Sequence, residues 1–283
     1  MLRKNREYGN GVEGQIISGL FGARFLYFFG LVIRGKSLVM LAQDLVKRVS
    51  LIVYTMAAVA IQVSNFSEWL RTVMEAQRRD ESHGMAHFES VRRRALEIAE
   101  KTSFIDDEER LILQLAALCH DVLDHKYLGE DDLKSSMEEA LRTMTNLTPE
   151  QVVDVCLISD NVSLSKELAG LLEEDALMQR RLLHLRDFVS DADKLEALGI
   201  GGLQRLAQYQ MHVLRKGDRG GKQLSSEFLR TAAQEHLLHR VHHLRTETAV
   251  REGHRLLREM TCVMASDAAL NMIIDQVIMK GTD

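Results

Sequence analysis

Residues that break helices or cross-link small folds are scarce in this chain. There is one proline in 283 residues. Few positions are barred from a helix interior, which favours an almost all-helical protein. The three cysteines, Cys119, Cys156 and Cys262, are far apart and odd in number. No CxxC or short Cys/His zinc spacing includes them. Free thiols in a reducing compartment are expected rather than a disulfide framework. No period-two strand of convincing length is present, and no internal repeat.

What is present is a globular composition, 46% hydrophobic and 27% charged, which excludes disorder as a whole-chain description. The net charge of −5 averages two unlike parts. Residues 1–79 hold 11 Lys/Arg against 5 Asp/Glu, and residues 80–283 hold 25 against 36. The second part is too acidic for generic nucleic-acid binding. An acidic balance suits a site for metal cations.

Residues 1–79 read as a basic, apolar extension. Ile16 to Ile33 is an apolar stretch interrupted by Arg24, and Leu51 to Val63 is a shorter one. A bilayer span wants about 20 apolar residues with few charges, so the first is marginal and the second short. Packing on the main domain is the first reading, and an organelle-targeting leader the second. A membrane-associated hairpin and a non-functional stretch are further alternatives. The expected location is cytoplasmic, with a mitochondrial or other organellar one as the alternative. Residues 80–264 form the main domain and 265–283 a C-terminal tail.

Within the main domain, Val91, Ala95, Ile98 and Ala99 share one helical face, and Leu111, Leu115 and Leu118 another. Helices are expected near 132–146, 150–159 and 165–196. Thr148-Pro149-Glu150 is a helix start. Gly199, Gly201 and Gly202 interrupt the pattern, and 225–263 reads as one long helix or a broken pair. The fold class is all-α.

Four polar residues stand where a helical core prefers apolar ones: His87, His120, Asp121 and Asp193. Imidazoles and carboxylates together suit Mn²⁺, Fe²⁺, Zn²⁺ or Mg²⁺. His120 and Asp121 diverge by about 100° on a helix. They reach one ion only where neighbouring helices converge.

The segments Asp80-Glu81-Ser82-His83-Gly84-Met85-Ala86-His87, Cys119-His120-Asp121-Val122-Leu123-Asp124-His125-Lys126 and Asp191-Ala192-Asp193-Lys194-Leu195 resemble the HD superfamily of metal-dependent phosphohydrolases. They are most similar to a small stand-alone branch, with Gly84 where that branch often has Asp. The resemblance covers about residues 80–262. It implies a helical bundle in which His87, His120, Asp121 and Asp193 hold one divalent ion, Mn²⁺ first, with Mg²⁺, Fe²⁺, Co²⁺ or Zn²⁺ as alternatives. It also implies hydrolysis of a small phosphorylated substrate, a nucleotide, by a metal-bound hydroxide, releasing phosphate or pyrophosphate. A cyclic-nucleotide phosphodiesterase is an alternative, as is a non-catalytic module stabilised by metal.

Asp121 is expected to help hold or deprotonate the water. Lys126 and His83 are candidates for contact with substrate phosphate, His83 also for protonating a leaving oxygen. Asp124 and Asp191 are candidates to orient His87 or His120 through the far ring nitrogen. His236, His239 and His243 fall on one face if the helix there is continuous. The basic, glycine-rich stretch Arg215 to Lys222 reads as a surface loop, or as a lid that meets substrate phosphates.

Overall fold

The computed structural model describes residues 36–77, 84–123, 130–215 and 224–280. His83, Asp124, Lys126, the Ile16–Ile33 run and nearly all of the glycine-rich stretch lie outside them. All regular structure among the described residues is helical, with no strand. The order is α1 (Lys36–Ala76), α2 (Met85–Thr102), α3 (Asp107–Cys119), α4 (Glu130–Met144) and α5 (Pro149–Asp160). Two short helices follow, α6 (Leu164–Leu168) and α7 (Glu174–Gln179), then α8 (Leu183–Glu196), α9 (Gly199–Arg215) and α10 (Ser226–His236). A 3₁₀ turn (Leu238–His243), α11 (Glu247–Met264) and α12 (Asp267–Lys280) complete the chain.

Local chemistry sets several of the starts. Asp106 caps α3 in a reciprocal box with Glu109, and Thr148 does the same for α5 with Gln151, ahead of Pro149. Ser225 and Thr246 cap α10 and α11. The stretch expected as one helix over 165–196 is three. Arg181 adopts a left-handed backbone (φ 60°) between α7 and α8. The histidine-rich segment also breaks: α10 ends at His236 and the tighter turn takes over, so His236, His239 and His243 do not share one α-helical face.

The chain divides into two compact units, Met1–Tyr54 and Thr55–Asp283. In the first, the described part of α1 exposes Leu45, Val46, Val49, Val53 and Tyr54, and Arg48 pairs with Asp44 one turn away. Among the described residues one helical segment, Ala42–Ala76, is long and apolar enough to cross a membrane by length and composition. The second unit buries Val63, Phe66, Leu70 and Met74 in its main core. Those spacings of three and four make one helical stripe. The change in charge near residue 80 therefore does not mark where packing begins.

The main core is built where α2, α3 and α8 meet, with α5 behind α3. A second core joins α9, α10, α11 and α12. Residues 265–283, expected as a tail, contain α12, which buries Leu270, Ile273, Ile274 and Val277 there. Helix α11 serves both cores, giving Ala249 and Leu256 to the first and Met260 and Met264 to the second.

The glycines after α8 have separate reasons. Gly199 is left-handed (φ 71°), so it turns the chain where other residues would be strained. Gly202 packs so closely on the preceding turn that a Cβ there would collide with the Ala197 carbonyl. Gly202→Ala is expected to destabilise the fold by about 1–3 kcal/mol, the usual range for overpacking. Thermal unfolding followed by circular dichroism checks this, and an unchanged midpoint would contradict the close approach.

Candidate metal centre and cleft

Three mutually packed helices carry the centre. His87 lies in the first turn of α2, His120 caps the C-terminus of α3 with Asp121 next, and Asp193 stands near the end of α8. Both imidazoles are almost wholly buried, while Asp121 is about one-third exposed and Asp193 one-fifth. Phe88 lies beneath both rings, with centroids 5.8 Å from His87 and 5.3 Å from His120.

The donor atoms converge. His87 Nε2 and His120 Nε2 are 3.2 Å apart. Asp193 Oδ1 is 3.6 Å from the first and 3.7 Å from the second. Asp121 Oδ2 is 3.7 Å and 3.5 Å from the same atoms. His87, His120 and Asp193 form the one cluster among the described residues whose ligand atoms all lie within 4.8 Å of one another. Donors bound at 2.0–2.2 Å in tetrahedral or octahedral geometry sit about 2.8–3.6 Å apart. The observed spacings suit a shared divalent ion.

Hydrogen bonding supports the same fit. His120 Nδ1 lies 2.8 Å from the Ala117 carbonyl. A proton on Nδ1 donates there and leaves the Nε2 lone pair for an ion. Burial opposes charge on His120, but Asp121 and Asp193 outweigh it and raise its pKa to about 9. Burial also works against ionisation of Asp121 and Asp193, yet the two histidines hold both well below the ordinary carboxylate range. Burial keeps His87 below its ordinary value despite Asp121, with Arg205 adding to the effect.

Asp191 does not orient a ligand histidine. Its carboxylate accepts from the Arg245 and Thr246 backbone N–H groups and from the Thr246 hydroxyl, each at 2.8 Å. It thereby fixes the entrance to α11. Lys194 donates to Glu167 Oε2 at 2.8 Å and to Ser190 Oγ at 2.6 Å. Glu167 is a hub, also receiving Arg245 at 2.6 Å and lying 3.5 Å from fully buried Arg186. The motif gave no sign of Glu167 or Arg186, which become partners only through packing.

A cleft of about 790 Å³ opens over the centre between the two cores. His120, Asp121 and Asp193 form one end. Ser163, Ser165 and Lys166 line one side, and α9 contributes Gly202, Arg205, Leu206, Tyr209 and Gln210. His236, His239 and Arg240 close the rim, with Arg240 Nη1 3.9 Å from Asp193 Oδ2. Arg205 and Arg240 were not among the sequence candidates. The i, i+3, i+4, i+7, i+8 spacing from Gly202 to Gln210 was the available signal. His243 is absent from this lining, and no carboxylate gathers the three histidines into a second cluster among the described residues.

No family model matches the sequence. An uncharacterized protein of Acanthamoeba polyphaga mimivirus is 31% identical over 143 residues, covering 46% of this chain and 54% of that protein. The chain thus spans about half the length of this curated relative. Bacillus subtilis YpgQ aligns with TM-score 0.53 and 22% identity, covering 74% of this chain and 94% of YpgQ. A Lactobacillus plantarum protein aligns with TM-score 0.53 and 21% identity, covering 78% and 97%. The chain shares the all-helical fold of these two proteins. Another YpgQ structure, in complex with ADP, aligns with TM-score 0.52. At these identities the likenesses to solved structures establish the fold alone.

The Glu167 hub predicts a pH dependence. Burial raises its pKa, but Lys194, Arg245 and Arg186 bring it down to about 2 from an ordinary 4.5. Its stabilisation is complete above about pH 4.5 and disappears as pH falls toward 2. The stability gap between wild type and Glu167→Gln, roughly 2–3 kcal/mol at neutral pH, should close across that window. Denaturant titrations at several pH values measure it, and parallel pH profiles for the two proteins would contradict the network.

Proposed function

We propose that this chain is a metal-dependent phosphohydrolase acting on a small phosphorylated molecule, with a nucleotide as substrate. The observation that carries this reading is the convergence of two buried imidazoles and two carboxylates at the end of a cleft lined with Arg205, Arg240 and Lys166. The ADP complex of YpgQ, a protein of the same fold, supports the nucleotide assignment.

His87, His120, Asp121 and Asp193 are the proposed ligands. A divalent ion bound to them supplies Lewis acidity toward a phosphoryl oxygen and brings the pKa of water toward neutrality. The chain supplies the rest. Asp121 is the most exposed of the four and is proposed to accept the proton of the attacking water at a carboxylate oxygen. Arg240 and Arg205 neutralise charge on phosphoryl oxygens, Arg240 by a planar fork beside Asp193. Phe88 and the buried faces of both histidines exclude bulk water from the floor. Lys126, five residues after Asp121, and His83, four before His87, are proposed to meet the substrate phosphate. Asp124 is proposed to support the His120-Asp121 segment.

Purified full-length protein with Mn²⁺ should turn over members of a panel of nucleotides and sugar phosphates. Chelation should abolish turnover and added Mn²⁺ restore it. Loss of groups that merely support a ligand costs about 10–100-fold. Replacing a ligand, as in His120→Ala or Asp121→Ala, should therefore cost at least about a hundredfold in kcat. Arg240→Ala should lower kcat/KM by about 10²-fold, in the range for one charge-stabilising donor. Undiminished turnover in both His120→Ala and Asp121→Ala would overturn the reading. Metal-dependent stabilisation with no turnover of any phosphate compound would favour a non-catalytic module.

A further inference from the structure

Helix α9 presents one long face to the cleft, with Arg205 and Tyr209 one turn apart and Gln210 beside Tyr209. Gln210 is 3% exposed. Its Oε1 is closed off from solvent and has no hydrogen-bond partner among the described residues. Buried amide oxygens are nearly always satisfied, because an unmade bond there is costly. Most of the helix face around it is apolar or aromatic, so the amide is a conspicuous polar choice at a lining position. Its last torsion is soft, so Oε1 can turn toward an arriving group at low cost.

We infer that Gln210, with Tyr209, is a recognition site for the base of a nucleotide whose phosphates lie at the Arg205 end of the same helix face. Arg205 lines the same cleft as His120, Asp121 and Asp193. Gln210 is five residues farther along, about 7.5 Å of helix rise. A ribose imposes a comparable separation between phosphate and base. Oε1 accepts an N–H from the edge of the heterocycle, and the Tyr209 ring packs along its face. This inference rests on the proposed phosphohydrolase reading and names the part of the substrate that the cleft selects.

The test is equilibrium binding to the full chain loaded with Mn²⁺. The probes are non-hydrolysable analogues of ATP, GTP, CTP and UTP, with inorganic tripolyphosphate as the ligand lacking a base. At least one nucleotide should bind tenfold or more tightly than tripolyphosphate. In Gln210→Met that advantage should fall at least fivefold, while tripolyphosphate and Mn²⁺ affinities stay within twofold. Gln210→Glu keeps an acceptor at the same place and should retain part of the preference, which guards against a variant that only disturbs folding. No nucleotide exceeding tripolyphosphate in the unmodified protein overturns the inference. So does a preference that survives Gln210→Met. Because binding is the readout, the result stands whether or not any compound is hydrolysed. Failure of turnover bears on the phosphohydrolase reading alone.

Discussion

A charged side chain taken out of water must find a partner or lose its charge. Helix α8 places three such groups within four residues. Successive residues point about 100° apart, so Asp191, Asp193 and Lys194 leave the helix in three directions. Asp193 joins the metal-centre cluster, Asp191 holds the start of α11, and Lys194 is neutralised by Glu167 at the end of α6. Helix α6 borders the cleft, and the segment leading into α11 follows directly on the 3₁₀ turn whose His239 and Arg240 line it. The groups that hold those walls in place are therefore on the same helix as one proposed ligand.

The position of the cleft follows from having two cores. α2, α3 and α8 pack tightly enough to bring four donor atoms together. α9, α10 and α12 form a separate cluster, joined to the first through α11. The seam between them is where a concave site can exist without hollowing either core. Polar groups at the seam can face solvent or ligand, which avoids the desolvation cost they would meet inside. Gly202 tightens one side of the seam by letting the start of α9 come down on Ala197.

The helical class was legible in the sequence, and so were the four residues whose donor atoms converge, for a physical reason. A single proline and recurring three-and-four spacings specify helices locally, and His120-Asp121 at the end of an apolar stripe is conspicuous against its background. The partners were not legible. Asp191 looked like support for a histidine, but its direction depends on the 245–246 segment, more than fifty residues away. His236, His239 and His243 looked like one face, because the switch to a 3₁₀ turn after His236 leaves no proline or glycine as a marker. The stripe from Val63 to Met74 was hidden inside a basic, apolar extension, since composition averages over a helix that is part exposed and part core. The broken 165–196 region shows the same limit: Arg181 adopts a left-handed backbone that its residue type does not advertise.

Charge shows why local placement outweighs totals. Residues 80–283 carry a formal balance of −11, which would repel a polyphosphate as a point charge. Such repulsion between solvent-exposed charges is screened within about 8–10 Å at ordinary ionic strength. Arg205, Arg240 and Lys166 line the cleft itself, where low-dielectric walls strengthen their attraction for an anion. The two carboxylates of the centre add negative charge at that same place, and a divalent ion bound to them would cancel it. Without such an ion, Asp121 and Asp193 would oppose the incoming phosphate that the arginines attract. On the proposed reading, charge balance would give a divalent ion a role in substrate binding as well as in chemistry.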